Sequence, residues 1–256
     1  MTQQQPTYET LLTIDALRVY FHSTRGEYKI VDGVDLDVRR NEILGLAGES
    51  GSGKSTVVEA IVRLIEPPGY IAGGTTHFRP ITDGEYDSRA DTEHETALSK
   101  GVDLLTVDEA LLQYLRWRYV AYIPQASMNS LNPVMQIGSQ IIDAMRAHAE
   151  LSKAVALKRA AEVLALVGLP PRTLKSYPHE LSGGMKQRAI IAAAMTLNPQ
   201  LVIADEPTTA LDVNVQRAIL DALLNVKQET DAAILFVSHD LAVHAEIVDR
   251  MAIMYA

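Results

Sequence analysis

Cysteine is absent from all 256 residues, which excludes disulfide staples and thiolate-ligated metal and fits a reducing compartment. No stretch approaches the roughly 18 uninterrupted apolar residues that a membrane span needs. Residues 1–6 (MTQQQP) place no basic group before an apolar run. No secretory signal is therefore expected, and the chain is expected to stay on the cytoplasmic side of any membrane it meets. Positive charge is in deficit. With 23 Lys and Arg against 32 Asp and Glu, the formal net charge is −9, which argues against broad electrostatic binding to nucleic acid or anionic lipid. There is one tryptophan, Trp117, read as packing because single tryptophans usually serve a core or an interface. No internal repeat is visible. What remains is a globular composition, 47% hydrophobic and 21% charged, long enough to bury a sizeable core in one large domain or two small ones.

Strand patterns occur at 11–21, 34–38, 43–47, 119–123, 201–205, 233–238 and 250–255. The second is a clean alternation, with Val34, Leu36 and Val38 on one face and Asp35 and Asp37 on the other. Helical patterns occupy 54–65, much of 137–169, a segment from Ser182 to just before Asn198-Pro199, and 215–227. Pro67, Pro68 and Gly69 stop the first of these. Residues 73–101 carry Gly73-Gly74, Pro80 and scattered acids (Asp83, Glu85, Asp87, Asp91, Glu93, Glu95) with little periodicity, and are expected to be a solvated loop without chemistry. Strands alternating with helices predict an α/β fold with a mostly parallel sheet, into which a helical block is inserted. The division expected is one domain over 1–256, with 1–125 and 196–256 as nucleotide-binding core and 126–195 as helical subdomain.

Gly48-Glu49-Ser50-Gly51-Ser52-Gly53-Lys54-Ser55-Thr56 matches G-x-x-x-x-G-K-[ST], and its context is the required one: an apolar strand before and a helix after. Glycines let successive backbone N–H groups point at phosphate, and the helix start adds its partial positive charge. Lys54 would neutralise the β- and γ-phosphates of ATP, and the Ser55 hydroxyl would ligate Mg²⁺. The apolar run Leu201-Val202-Ile203-Ala204 delivers Asp205 and Glu206 at a strand's carboxyl end, where ligands of open α/β sheets sit. Asp205 would hold Mg²⁺ through water, and Glu206 is placed to orient or deprotonate an attacking water. A third segment, Leu181-Ser182-Gly183-Gly184-Met185-Lys186-Gln187-Arg188, offers a second phosphate-binding helix start in Ser182, Gly183 and Gly184. Two such starts in one chain suggest a site completed between two subunits.

In this order, residues 48–56, Gln125, Leu181-Ser182-Gly183-Gly184, residues 201–206, Ala210-Leu211-Asp212 and Ser238-His239-Asp240 resemble the nucleotide-binding subunits of ABC transporters, over residues 11–255. The resemblance implies a P-loop NTPase (RecA-like) core with an N-terminal antiparallel β portion and an inserted α-helical subdomain. It also implies two subunits sandwiching two ATP molecules head to tail. Lys54, Ser55, Asp205 and Glu206 of one would face Ser182 and Gly184 of the other. Gln125 would touch Mg²⁺ or the attacking water and sense the membrane partner, His239 would contact the γ-phosphate, and Asp212 would help couple the two sites. The adenine platform is assigned to Phe21, with Tyr20 and Tyr28 as alternatives, and His179 is read as structural.

Ser130-Leu131-Asn132-Pro133-Val134 and Tyr177-Pro178-His179-Glu180 are similar to segments in the ATPases of oligopeptide and dipeptide importers, and are shared by importers of nickel or certain oligosaccharides. The expected partners are two transmembrane permeases, a second ATPase subunit (a paralogue) and, indirectly, an extracytoplasmic binding protein, with no nucleic acid. The expected location is peripheral, on the cytoplasmic face of the inner membrane. A soluble ABC ATPase of DNA repair or translation is the alternative. Translation factors of that kind carry two cassettes, and the repair relatives need cysteine-rich zinc modules. Intact Glu206 and His239 speak against a non-catalytic regulatory subunit. Two departures stand out. Ala126-Ser127 replaces the more usual Asp-Pro beside Gln125, and the chain stops at Tyr255-Ala256, where family members continue. An unpaired edge strand there is expected to lower solubility.

Overall fold

A computed structural model describes residues 9–82, 92–125, 127–209 and 211–255. Strand β1 (Thr10–Ser23) turns at 24–25 into β2 (Gly26–Arg39), and the pair is antiparallel. Strand β3 (Ile43–Gly48) then runs into the glycine-rich loop and helix α1 (Lys54–Ile61). Strand β4 (Gly69–Phe78) pairs with β1, helix α2 (Thr92–Leu98) follows, and the short β5 (Val102–Asp103) pairs with β4. Helix α3 (Glu109–Leu115) leads to β6 (Val120–Ile123). Three helices come next: α4 (Ile137–His148), α5 (Lys153–Leu166) and α6 (Gly183–Ala194). The chain then forms β7 (Leu201–Asp205), α7 (Val213–Thr230), β8 (Ala233–Val237), α8 (Leu241–Ile247) and β9 (Arg250–Met254).

The described strands make two sheets. One is antiparallel in the order β2-β1-β4-β5, and the other is parallel in the order β6-β7-β8-β3-β9. Strands β3, β7 and β8 are apolar along nearly their whole length because both faces of the parallel sheet are covered. Leu44, Leu46, Leu201, Ile203, Leu235 and Val237 face Val57, Val58 and Ile61 of α1 and the apolar side of the antiparallel sheet. Val202, Ala204, Ile234 and Phe236 face the helices α4 to α7. Each fully buried Leu, Ile, Val or Phe stabilises the fold by about 1.5–3 kcal/mol, so the sheet is held rigidly from both sides. Helix starts are secured by side-chain caps: Asp108, Ser152, Ser182, Asp212 and Asp240 each accept a backbone N–H from the first turn of the helix that follows.

Several expectations need correction. Residues 73–101 are not one loop: residues 73–78 belong to β4, and α2 and β5 lie within the stretch. Pairing with β1, a tertiary effect, makes β4 a strand despite its two consecutive glycines. Asp83, Glu85, Asp87 and Asp91 fall outside the described residues, whereas Glu95 accepts hydrogen bonds from Tyr114 and Tyr119 at 2.7 and 2.8 Å. The first helix ends at Ile61, short of the prolines, because Arg63 adopts a left-handed φ of 52°. The 137–169 pattern divides into α4 and α5, with Ser152 capping the second. Strand β2 starts well before Val34, since its first residues are exposed on both sides and show no apolar alternation.

Candidate active site

Parallel strands place their carboxyl ends along one edge, and four loops meet there. Residues 48–56 follow β3, Gln125 follows β6, Glu206 follows β7 and His239 follows β8. Between this edge and the tip of the β1–β2 hairpin lies a cleft of about 740 Å³, whose walls include Phe21, Tyr28, Gly53, Lys54, Gln125 and His239.

The loop wraps because its glycines permit it. Gly53 caps α1 with φ 92°, and a Cβ there would lie 2.8 Å from the Ile30 carbonyl oxygen. Ser50, Gly51, Gly53, Lys54, Ser55 and Thr56 all face the cleft. Gly48 and Glu49 contribute their carbonyls instead: Lys54 Nζ donates to them at 2.9 and 2.7 Å, and stands 3.5 Å from the buried Ser52 Oγ. Lys54 is only 5% exposed, so the loop's own carbonyls hold a desolvated ammonium at the floor of the cleft.

Asp205 lies behind Ser55, 1% exposed, and Ser55 Oγ donates to its Oδ1 at 3.2 Å. Burial pushes the Asp205 carboxyl above its ordinary value, and Glu206 adds to that, against the hydrogen bond from Ser55 and the charge of Lys54. Glu206 differs from its neighbour. Burial pushes it up as well, but hydrogen bonds from Thr209 and His239 and the charges of His239 and Lys54 outweigh burial and hold it below its ordinary value. Its Oε2 accepts from Gln125 Nε2 at 3.2 Å and from Thr209 Oγ1 at 2.8 Å, and its Oε1 lies 3.1 Å from His239 Nδ1. Its backbone φ of 45° is in the left-handed region, a conformation that non-glycine residues hold mostly where the surroundings enforce it. The pair thus supplies two different acids: one desolvated beside a hydroxyl, the other ionised and fixed by three side chains.

Mg²⁺ is a hard cation that takes oxygen ligands. The Ser55 hydroxyl and the desolvated Asp205 carboxylate fit it, because a cation would relieve the cost of burying that charge. Gln125 stands on the Glu206 side of the cleft.

Phe21 lines the cleft and packs over Gly69, and Tyr28 lines it while half exposed. Tyr20 turns away: its hydroxyl donates to Asp32 at 2.6 Å. Ser182, Gly183, Gly184 and Asp212 are not in the cleft. Ser182 caps α6 by accepting from Met185 N at 3.3 Å, and Asp212 caps α7 by accepting from Val215 N at 3.0 Å. Ser182, Gly183 and Asp212 are exposed, and Gly184 is buried against Val215. Ala126 and Ala210 lie outside the described residues. His179 stacks on Tyr177, and Trp117 Nε1 donates to the Ala193 carbonyl at 3.0 Å while its ring stacks on His148. Sequence reasoning missed His22, Ser23 and Ile30 in the cleft wall and Thr209 at Glu206. Thr209, three residues beyond Glu206, carried a local signal; the hairpin residues carried none, because only the pairing of β1 with β2 brings them over the loop.

Comparison with known proteins gives a consistent result. The family model described as ABC transporter matches residues 31–209. The oligopeptide transport ATP-binding protein OppD of Bacillus subtilis is 41% identical over 249 residues, covering 96% of this chain and 64% of that protein. The dipeptide transport ATP-binding protein DppD of Caldanaerobacter subterraneus is 38% identical, covering 96% and 69%. The OppD of Escherichia coli is 38% identical, covering 100% and 69%. The chain therefore spans about two thirds of the length of these relatives. Among solved structures, the dimeric bacterial ABC transporter cassette MJ0796 superposes with a TM-score of 0.76 at 23% identity, over 95% of this chain and 94% of that one. The same cassette in a post-hydrolysis state with ADP and Pi gives 0.75.

Proposed function

The chain belongs to the ABC transporter family, and on that premise we propose that it binds and hydrolyses ATP to drive import of di- or oligopeptides through a membrane permease. The observation that carries the ATPase reading is Glu206, ionised and held by Gln125, Thr209 and His239 at the mouth of a cleft floored by Lys54. The peptide assignment is supported by relatives named for oligopeptide and dipeptide transport, which favours peptides over nickel or oligosaccharides.

In this reading the backbone N–H groups of residues 48–56 and the α1 start cradle the phosphates, and Lys54 neutralises the β- and γ-phosphates. Phe21 supports the base. Glu206 orients the attacking water and receives its proton, and its lowered pKa keeps it ionised and ready for that role. His239 holds Glu206 in place and reaches the γ-phosphate. Ser55 and Asp205, with Gln125 at their side, would hold Mg²⁺, which when bound supplies charge neutralisation at the phosphates. Catalysis is then positioning and electrostatic stabilisation in a preorganised site.

Ser182 and Gly183 are exposed, Gly184 is buried beside them against Val215, and all three stand outside their own cleft, which supports use of this helix start across a dimer interface, on the γ-phosphate of a second ATPase subunit. Asp212 stands at the neighbouring helix start and couples the two sites. Residues 126–195 form the helical subdomain in this assignment, and 1–125 with 196–256 the core. The membrane partners are two permeases, fed by an extracytoplasmic binding protein, and the second ATPase subunit is a paralogue. Among the described residues no helix is long and apolar enough to cross a membrane, in keeping with a peripheral subunit at the cytoplasmic face of the inner membrane. The test is to copurify the chain with its permeases and measure ATPase stimulation by peptide, nickel and oligosaccharide panels. Stimulation by peptides alone is expected, and stimulation only by nickel or an oligosaccharide would overturn the cargo assignment.

A further inference from the structure

The loop that carries His239 is anchored one residue earlier, at Ser238, which is 4% exposed. The Ser238 N–H donates to the Leu46 carbonyl at 3.3 Å, and its Oγ accepts from Asp240 N at 3.1 Å. Its carbonyl lies 3.1 Å from Nε2 of His244, a residue of α8 that is 1% exposed. A carbonyl oxygen can only accept, so Nε2 carries the proton and Nδ1 of the neutral ring is bare. That Nδ1 is buried and has no hydrogen-bond partner among the described residues. It lies over β3, where a Cβ on Gly45 would come within 2.4 Å of it, and the ring meets Phe236 edge-on with centroids 5.4 Å apart. Burial, joined by the charge of Lys54, holds the imidazole below its ordinary value, against the bond to Ser238 and the charge of Asp240. The ring is therefore neutral at neutral pH.

An apolar side chain could fill this space without burying a bare nitrogen, which costs free energy. What the histidine supplies in return is the donor to Ser238. The carbonyl it holds belongs to the peptide joining Ser238 to His239, so its direction sets where His239 leaves the backbone. The His239 side chain is 53% exposed, and its Nδ1 lies 3.1 Å from Glu206 Oε1. One peptide earlier, the Val237 carbonyl accepts the Glu206 N–H at 3.0 Å. Adjacent carbonyls thus fix the backbone of Glu206 and the departure of His239. Without the Nε2–H, the Ser238 carbonyl would be buried with one donor fewer, and the peptide would be free to turn toward another partner, taking His239 with it. His244 itself is not in the cleft wall.

We propose that His244 is a positioning residue for hydrolysis, acting through the Ser238 carbonyl to hold His239 against Glu206. The proposal rests on the ATP-cleft reading above and adds to it a residue that lies behind the cleft, on α8. A histidine that only packed α8 on β3 would contribute to stability. It would not change turnover at unchanged ATP affinity, and its donor nitrogen would not matter to the rate. These differences separate the two roles.

The test compares the full chain with His244→Met and His244→Gln. The two side chains are alike in length and flexibility, and only Gln restores an N–H donor toward Ser238. Turnover is read by phosphate release at saturating ATP, at a concentration high enough for the shared site to form. Affinity is read with a fluorescent ATP analogue, and the fold by thermal melting. His244→Met is expected to lower turnover about 3- to 10-fold, the population shift that one neutral hydrogen bond carries, while affinity stays within about twofold. His244→Gln recovers most of the lost turnover. In a His239→Ala background, followed by single-turnover hydrolysis with protein in excess, His244→Met costs less than about twofold further, because the residue it positions is gone. Turnover of His244→Met close to that of the unmodified chain overturns the proposal. So do equal losses in the Met and Gln variants, or the full loss recurring in the His239→Ala background. Failure of both variants to melt cooperatively would reduce His244 to a packing residue and also overturn it. An unmodified chain that does not bind the analogue, or binds it without hydrolysing ATP, refutes the ATPase reading itself, and the positioning role with it.

Discussion

Replacing Glu206 by Gln isolates proton acceptance from shape. The amide can present its oxygen where Oε2 stands, keeping the donors Gln125 Nε2 at 3.2 Å and Thr209 Oγ1 at 2.8 Å, and turn its NH₂ toward His239 Nδ1 at 3.1 Å. Each of these bonds changes from charge-assisted to neutral, a loss of about 1 kcal/mol apiece. Solvent screening in the open cleft lowers that loss, and relief from burying the carboxylate offsets part of it. The net effect on stability is expected to stay within about 1 kcal/mol, or ~2–4 °C in melting midpoint for a chain of this size. Loss of the proton acceptor, by contrast, costs about 10²–10⁴ in turnover, equivalent to ~2.7–5.4 kcal/mol at 1.36 kcal/mol per tenfold. Chemistry and folding therefore separate cleanly. Phosphate release at saturating ATP would read the turnover, a fluorescent ATP analogue the affinity, and thermal melting the fold. Because the folded-state pKa of Glu206 is lowered, its charge stabilises the native state above the ordinary glutamate range. That contribution is lost as pH falls through the lowered value. The small midpoint deficit of Glu206→Gln should accordingly shrink as pH falls below the ordinary glutamate range and through the lowered value. Turnover within twofold of wild type would refute the assignment of Glu206 as base, and a tenfold loss of ATP affinity would refute the shape-only account of the substitution.

Asp205→Asn should act in the opposite sense on the nucleotide- and metal-free protein. The Asp205 carboxyl is pushed up by burial, so its charge costs stability at neutral pH and protonation relieves that cost as pH falls through the raised value. The variant should melt about 2–4 °C higher at pH 7 in EDTA, with the advantage vanishing in acid; a lower midpoint at pH 7 contradicts this. Lys54→Ala removes the only side-chain ammonium in the described cleft wall and should abolish nucleotide binding by calorimetry, an unchanged affinity counting against its role. Gly53→Ala must hold φ near 92° with a Cβ 2.8 Å from the Ile30 carbonyl oxygen. A destabilisation of about 1–3 kcal/mol in urea unfolding is expected, and no change would mean that the loop relaxes freely. Dilute isolated subunits should hydrolyse ATP slowly, with specific activity rising with concentration or on adding the partner ATPase. Full activity at nanomolar monomer would contradict the shared site.

Local chemistry made much of this protein legible without coordinates. Residues 48–56, the acids at the end of β7 and the capped start of α6 are contiguous motifs, and each proposed role follows from neighbours a few residues away. The buried strands announced themselves as short apolar runs, because a sheet covered on both faces needs apolar residues at every position. Tertiary structure decided the rest. Residues 73–78 are a strand only because β1 offers them a partner, and the hairpin carries Phe21, His22 and Tyr28 to the cleft only because β1 and β2 pair in one register. The same is true of the hydrogen bond between Ser127 and Gln187, which joins residues 60 positions apart. No local pattern encodes such a contact, since it depends on how the helices pack rather than on what stands beside either residue in the chain. The sequence by itself determined which residues make the glycine-rich loop, the acidic strand end and the capped helix starts to which phosphate chemistry is proposed, through backbone geometry and charge acting over one turn. Only the packing of distant elements decided which of them share a cleft and which stand outside it.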